Sequence, residues 1–554
     1  MRRTLAYFSL GSLVLACGTA SKEPQAIASG GSGSTSQLGS GGVRANSGGA
    51  YNSAGGLINS SGGAQTSTGG APNTGGAPNT GGAPNTGGAP NTGGALNTGG
   101  APVVMGPTTT VCTIAEFQTA INQAQAGDTL VLCNGTYPDS SLTIPTSGIT
   151  VRAETPGGVV LSGTSNGAKY KVSISGSNVV FSGFQFKDGN VGAGILVEVA
   201  GSHNLLTQLN FSGYFAQKYL HFNLGQYNEL SYTNLENKPE LAEIGAIIQI
   251  TTSATVPGYH TIRYCSFQNM PGLGQDYGNE PIRIGLSVEF GNVSRTTVEH
   301  NLFDNVYRAD SEIVSVKSDE NLIRNNTFTN NHGLDAAQRP IWGGLVFRHT
   351  HNSVAYGNFF LNGGGIRAKE GGGHSIYNNY FDTGDSEAIT LQYDPANPLT
   401  NINIVHNTFV NPGAINLGGV GPTNVTFANN IFTKAAGNIF VSPTGTETWI
   451  GNIYSGSLGV AASAGLKNMD PLLALNADGY SGLTQGSPAI GAALGGFPAI
   501  LDIANLDDDP SILLDIQGQP RPAAGKDVGA DQSGATAVTH RPLKLADVGP
   551  SFLK

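Results

Sequence analysis

The chain has 554 residues, of which 81 are Gly, with only 12% charged residues and a formal net charge of −10. So little charge beside so much Gly argues against a helix-rich protein and for a turn-rich, all-β one. The acidic balance argues against general nucleic-acid binding, but a local basic cleft for an acidic ligand is compatible with it.

In chain order, Arg2 and Arg3 precede a short apolar run, Leu5 to Ala16, too short for a stable membrane span. It ends Val14-Leu15-Ala16-Cys17-Gly18, which resembles a bacterial lipobox with Cys17 acylated. Residues 1–17 therefore read as a lipoprotein-type signal. Residues 18–105 are mainly Gly, Ser, Asn, Thr, Ala and Pro, and Gly-Gly-Ala-Pro-Asn-Thr recurs from Gly69 to about Pro102. A six-residue period can mark a left-handed β-helix, but this repeat offers only Ala for a core and carries Pro, which lacks a backbone donor. It reads as a flexible tether. The expected location is the cell surface or outer membrane, with membrane contact only through the lipid.

The main domain, 106–535, opens with apolar positions 114, 117, 120, 121 and 124, which have helical spacing. Thr113 with Glu116 forms a capping-box pattern. A short amphipathic helix here would cover the open end of a solenoid. Cys112 and Cys133 flank this unit and suit a disulfide in an oxidising compartment. Cys265 has no evident partner and reads as a buried thiol.

Further on, Asn-x-aromatic turns recur, with the aromatics at Phe303, Phe328, Phe360, Phe381, Phe409, Phe432 and Tyr454. The intervals of 25, 32, 21, 28, 23 and 22 residues each hold about three short strands, one coil of a parallel β-helix. Stacked Phe would fill the interior, stacked Asn would bond from rung to rung, and the 32-residue interval implies a projecting loop. The predicted fold is all-β, a single-stranded right-handed parallel β-helix with an N-terminal capping helix. From about 465 the chain reads as closing over the last coils, and 536–554 as a surface-lying or loose tail.

The densest polar run is Asp310-Ser311-Glu312-Ile313-Val314-Ser315-Val316-Lys317-Ser318. On a strand Asp310 and Glu312 share a face. Two such carboxylates repel unless a cation intervenes, and a hard cation such as Ca²⁺ suits oxygen donors. Lys317, five residues past Glu312, falls on the opposite face of a straight strand, so a corner or bulge is needed if both serve one site. Arg348 follows Lys317 by 31 residues, about one coil plus a loop, which stacks the two cations. A neighbouring cation favours the neutral amine of a lysine, a usable base.

At these residues the chain resembles polysaccharide lyase family 6, the group of chondroitinase B and many alginate lyases. The segments that carry the resemblance are Glu280-Pro281-Ile282-Arg283-Ile284-Gly285, Glu312 to Ser318, Asn325-Asn326-Thr327-Phe328 and Phe347-Arg348-His349. It continues through Gly357-Asn358-Phe359-Phe360, Gly364-Gly365-Ile366-Arg367 and Tyr377 to Phe381. The resemblance covers about residues 110–535. It implies Lys317 as general base, Arg348 as general acid, and Asp310 and Glu312 as ligands of a Ca²⁺ that neutralises the substrate carboxylate. The family's further Asn ligand falls at Tyr277, so Asn279 or Asp276 would have to substitute. Asp310 stands where Glu is common, and Thr350 where Gly is usual. Expected substrate contacts are Arg283, His349, Arg367 and Lys369, with Arg339 and Trp342 on an insert from Asp335 to Gly344. The implied activity is β-elimination on a uronate polysaccharide, alginate ahead of dermatan or chondroitin sulfate, by a monomer. A β-helical hydrolase would need a suitably spaced pair of carboxylates with a partner signature that is missing here. A non-catalytic surface adhesin would explain tether and fold but not Lys317 with Arg348.

Overall fold

Short strands alternate with tight turns along the chain, and each strand pairs in parallel with the strand one coil on. One coil, for example, runs from Leu322–Arg324 through Thr327–Thr329 to Gly344–Phe347. These pair with Val354–Tyr356, Phe359–Leu361 and Ile366–Ala368 of the next coil. We call the three stacked sheets A, B and C in that order. The architecture is a right-handed parallel β-helix. The structure is a computed structural model that describes residues 106–239, 245–272, 280–307, 312–334, 340–501, 513–534 and 537–554. The predicted signal, Cys17, the tether, Asp276, Tyr277, Asn279, Asp310 and Arg339 lie outside the described residues.

The recurring Asn-x-aromatic turns build the interior as the sequence pattern implies. From Phe267 through Phe303, Phe328, Phe360, Phe381 and Phe409 to Phe432, ring centroids are 4.6–5.0 Å apart. That matches the roughly 4.8 Å spacing between paired strands. Beside the rings, Asn301, Asn326, Asn358, Asn379, Asn407, Asn430 and Asn452 form a buried ladder. Each side-chain amide donates to the Oδ1 of the next at 2.9–3.1 Å. The same amides also take up turn carbonyls, as Asn358 does for Ile323 and Tyr356. The residue before each ladder Asn sits at positive φ, as at His300 (53°), Asn325 (53°) and Asn378 (51°). Gly357 (65°) and Gly451 (63°) supply this conformation without a Cβ penalty.

The predicted helix spans Ile114–Gln123, with Thr113 as its N-cap and Phe117 and Ile121 buried. Gln118 donates to the Thr143 carbonyl and accepts from the Thr143 N–H, each at 2.8 Å, occupying backbone groups that the strand Leu142–Ile144 would otherwise leave open. Cys112 and Cys133 are disulfide-bonded with Cα atoms 4.7 Å apart, and Cys265 is a buried thiol. The long 32-residue interval houses an antiparallel hairpin with arms His332–Leu334 and Pro340–Trp342.

The C-terminal part closes over the last coils as expected and reaches further back than the sequence implied. Leu466–Asn468 adds one rung, and the chain then runs back along the flank between sheets A and B. Tyr480, Ile516 and Ala530 pack on Phe359 and Tyr380, and Ala489 and Val528 on Ile431 and Ile453. Arg521, buried, donates to Asn378 and to the carbonyls of Gly529 and Ala530. The final residues continue the same way: Leu543 bonds to Thr327, Gly549 to Tyr264 and Ser551 to Gln208. The cause is apolar side chains on the outer face of the coils, which a returning segment buries.

Candidate active site

The outer face of sheet C gathers the chemistry. Parallel pairing puts Gln249, Arg283, Ser315, Val346, Arg367 and Thr390 in one register column. Two residues further along each strand, on the same face, a second column follows. The Lys317 N–H donates to Ile284 at 2.7 Å, Arg348 to Val316 at 2.9 Å, Lys369 to Phe347 at 2.9 Å and Gln392 to Ala368 at 2.8 Å. Lys317, Arg348 and Lys369 thus stand on successive rungs, and the first two are neighbours as their sequence separation implied.

The odd spacing from Glu312 to Lys317 is resolved by a bulge. Glu312 pairs with Gly344 while Val314 pairs with Leu345, so one residue is extra. The bulge turns Glu312 onto the face of Ser315 and Lys317. There it is buried and surrounded by donors. Ser315 Oγ donates to Oε2 at 2.7 Å, and Arg348 and Arg367 donate to Oε1 at 3.1 and 2.9 Å. Lys317 Nζ lies 3.7 Å from Oε2. Burial alone would raise the Glu312 pKa, but Lys317, the Ser315 hydroxyl and the two guanidiniums together hold it below the ordinary value.

Two carboxylates that sequence reasoning gave no role complete the cluster. Glu280, 1% exposed, accepts from Lys317 Nζ at 3.1 Å and from Arg283 Nε at 3.0 Å. Glu370, 2% exposed, pairs with Lys369 at 3.1 Å and with His349 Nδ1. Among the described residues, Arg283, Lys317, Arg348, Arg367 and Lys369 therefore face Glu280, Glu312 and Glu370, with Asp394 beside Lys369 and Asp385 and Glu387 beside Arg367. The expected cation beside Lys317 is present. Glu280 and Glu312 are added to it as carboxylate partners of Lys317. His349 has φ 55°. Burial lowers its pKa; Glu370 opposes this, while Arg348, Lys317 and Lys369 reinforce it. Arg348 Nε is buried without a hydrogen-bond partner, 4.0 Å from Glu370 Oε1.

The structure thus brings together Lys317, Arg348, Glu312, Arg283, His349, Arg367 and Lys369. Trp342, from the hairpin, lines a cavity beside Arg367. The disulfide Cys112–Cys133 belongs to the N-terminal coil. One signal could have found Glu280: it precedes Arg283 by three residues, the spacing of Glu312 to Ser315. Glu370 had no such signal.

Among the described residues no cluster of three or more His, Cys, Asp or Glu is arranged to hold a metal. Glu312 offers hard oxygens at the floor of the site and fits as one ligand. Its present partners are cations, which a divalent ion would have to replace.

The model of the chondroitinase B family matches residues 111–436. No curated protein matches. Among solved structures, a polysaccharide lyase family 6 alginate lyase, AlyGC, superimposes with TM-score 0.63 at 22% identity, over 80% of this chain and 59% of that one. This chain therefore spans less than two thirds of that protein's length. A mannuronic-acid-specific family 6 lyase from human gut microbiota gives TM-score 0.54 at 25% identity, over 66% of this chain and 91% of that one. A family 6 alginate lyase in complex with a trisaccharide gives 0.53 at 18% identity, over 69% and 91%. The family model covers more than half of the chain and falls on the coils that carry Lys317 and Arg348: the chain belongs to the chondroitinase B family, polysaccharide lyase family 6.

Proposed function

We propose that the protein cleaves a uronate-containing acidic polysaccharide, alginate foremost, by β-elimination. The observation that carries this reading is Lys317 and Arg348 side by side in register on one outer face, with Arg283, Arg367 and Lys369 around them. A polyanionic chain laid across sheet C meets Arg283, Arg367 and Lys369 as carboxylate partners. Lys317, as the neutral amine, removes the C5 proton of the uronate. The electron pair forms the C4–C5 double bond and the C4–oxygen bond breaks. Arg348 stabilises the departing oxygen and water supplies its proton, because a guanidinium rarely gives up its own. Glu280 and Glu312 hold Lys317 in place, and Glu312 also holds Arg348 and Arg367.

Ca²⁺ forms part of this proposal, with Glu312, Asp310 and Asn279 as ligands; bound there it would neutralise the substrate carboxylate and make the C5 proton more acidic. The alginate preference draws on the names of the two alginate lyases and the mannuronic-acid-specific lyase above. Export and anchoring through an acylated Cys17, with residues 18–105 as tether, complete the reading; radiolabelled fatty acid retained by the protein and lost in Cys17→Ser tests that part. The activity is tested by incubating the protein with polymannuronate, polyguluronate and dermatan sulfate and following ultraviolet absorbance of the unsaturated end. New reducing ends without that absorbance mean hydrolysis, and no cleavage of any substrate means the lyase reading fails.

A further inference from the structure

Nearer the N-terminus, sheet C carries a second set of polar residues that the elimination does not use. Glu198, His221 and Thr251 come from the strands Phe184–Val199, Phe215–Asn223 and Ile248–Thr251, which pair in parallel on successive coils. Glu198 and His221 are register partners. Thr251 is the partner of Asn223, two residues past His221 and on the same face. His221 Nδ1 lies 2.8 Å from Glu198 Oε2, and its Nε2 lies 2.8 Å from Thr251 Oγ1. Asn223 Nδ2 donates to the other Glu198 oxygen at 2.8 Å. Glu198 is buried, whereas His221 and Thr251 are half-buried.

The order of these groups fixes what each can do. Burial alone would raise the Glu198 pKa, but His221, the Asn223 amide and the charge of Lys169 hold it below the ordinary value. An ionised carboxylate only accepts hydrogen bonds, so His221 Nδ1 carries the proton between them. In the neutral ring Nε2 is then an acceptor, and the Thr251 hydroxyl donates to it. A hydroxyl held on an imidazole whose other nitrogen is fixed by a buried carboxylate is an activated nucleophile. Asn223, in register beside Thr251, has a second amide hydrogen to offer an oxyanion.

We propose that Glu198, His221 and Thr251 form a second catalytic site, which hydrolyses small O-acyl esters on sugar hydroxyls of the polysaccharide. Thr251 Oγ adds to the acyl carbonyl carbon while its proton passes to His221 Nε2. The bond to the sugar oxygen breaks, that oxygen takes the proton, and an acyl-threonine remains. Water then adds to the acyl carbon and gives a proton to Nε2. The bond to Oγ breaks, Oγ recovers the proton, and the carboxylic acid leaves. Ester and water become alcohol and acid, with no other reactant. Ile250 pairs with Ile284 and Ile284 with Val316, so Thr251 and Lys317 lie two rungs apart in one column, roughly 10 Å. Sugars next to the one at Lys317 are therefore within reach of Thr251. The choice of a polysaccharide ester rests on the proposed function; the hydrolytic chemistry does not.

The test incubates acetylated polymannuronate with the wild-type protein and with Thr251→Val, Thr251→Ser and Glu198→Gln, measuring released acetate and unsaturated ends separately. p-Nitrophenyl acetate serves as a second ester, one that cannot undergo the elimination. Thr251→Val keeps the side-chain shape and removes the hydroxyl. It is expected to lower acetate release by about a hundredfold or more, as is Glu198→Gln, while Thr251→Ser retains it. Acid-quenched wild type should carry an acetyl group on the peptide containing Thr251, and Thr251→Val should not. Circular dichroism checks that each variant is folded. No hydrolysis of either ester above the buffer rate overturns the proposal, as does an unchanged rate in folded Thr251→Val. Thr251-dependent release from p-nitrophenyl acetate alone overturns the polysaccharide as the substrate. Thr251-dependent acetate release without unsaturated ends leaves this site standing and sinks the lyase reading; unsaturated ends without acetate do the reverse.

Discussion

His374 is fully buried, stacked on Phe347 with centroids 4.7 Å apart, one residue before Arg348. Its Nδ1 accepts the Ser353 N–H at 3.3 Å, and Nε2 has no partner. The neutral ring fits this position, whereas protonation would place a bare charge in the core and break the bond from Ser353. Burial accordingly pushes its pKa down to about 3, with His351 adding to the effect. A histidine whose folded pKa is depressed binds its proton more readily when unfolded, so stability is lost as pH falls through the unfolded value of about 6.5. Between pH 8 and pH 5 the loss is about 2 kcal/mol for this residue, since each pH unit below 6.5 costs about 1.4 kcal/mol. The perturbation is His374→Asn, because Asn321 already serves this corner, accepting the Thr296 N–H at 3.0 Å. Urea unfolding at pH 8 and pH 5 isolates the effect: whatever the lost ring packing costs is the same at both. The variant is expected to lose about 2 kcal/mol less than wild type between the two values. An equal loss in both proteins would refute the assignment of a neutral, acid-sensitive His374.

His260, stacked on Phe222 with its own pKa pushed down to about 3, is expected to behave alike, and His260→Asn with His374→Asn should roughly double the change in urea unfolding. Asn358→Ala leaves the carbonyls of Ile323 and Tyr356 and the Asn326 N–H without their ladder partner, and is expected to cost at least about 3 kcal/mol in the same assay. Arg348→Lys keeps a charge but not the fork that spans Glu312 and the leaving oxygen, so kcat should fall by about a hundredfold with KM changed far less. Chelator treatment is expected to remove activity and Ca²⁺ addition to restore it; full activity in metal-depleted protein would count against the metal.

The coils were legible because their signal is local and repeated: each Asn-x-aromatic turn carries its own bond and its own ring, so the period survives irregular loops. The bulge at Glu312 was legible only as a necessity, from the parity of Glu312 and Lys317, because period-two counting cannot say where the extra residue goes. Glu280 and Glu370 stayed hidden as site residues. Their partners come from different coils, and a buried carboxylate looks the same in sequence as an exposed one. How far back the C-terminal segment reaches stayed hidden for a related reason. Tyr480, Ile516 and Val528 are scattered apolar residues in irregular chain, and only the outer faces of Phe359, Tyr380 and Ile431 give them somewhere to go.

The central claim is that Lys317 removes the proton in an elimination, and a comparison of wild type with Lys317→Ala on polymannuronate and polyguluronate tests it most directly. Lys317 follows the strand Glu312–Val316 and is buried beside Glu280 and Glu312, so circular dichroism of Lys317→Ala is recorded alongside its activity. Wild type should generate the ultraviolet absorbance of the unsaturated uronate end, and Lys317→Ala should lower that rate by about a thousandfold. Near-normal turnover by a folded Lys317→Ala protein would contradict the account.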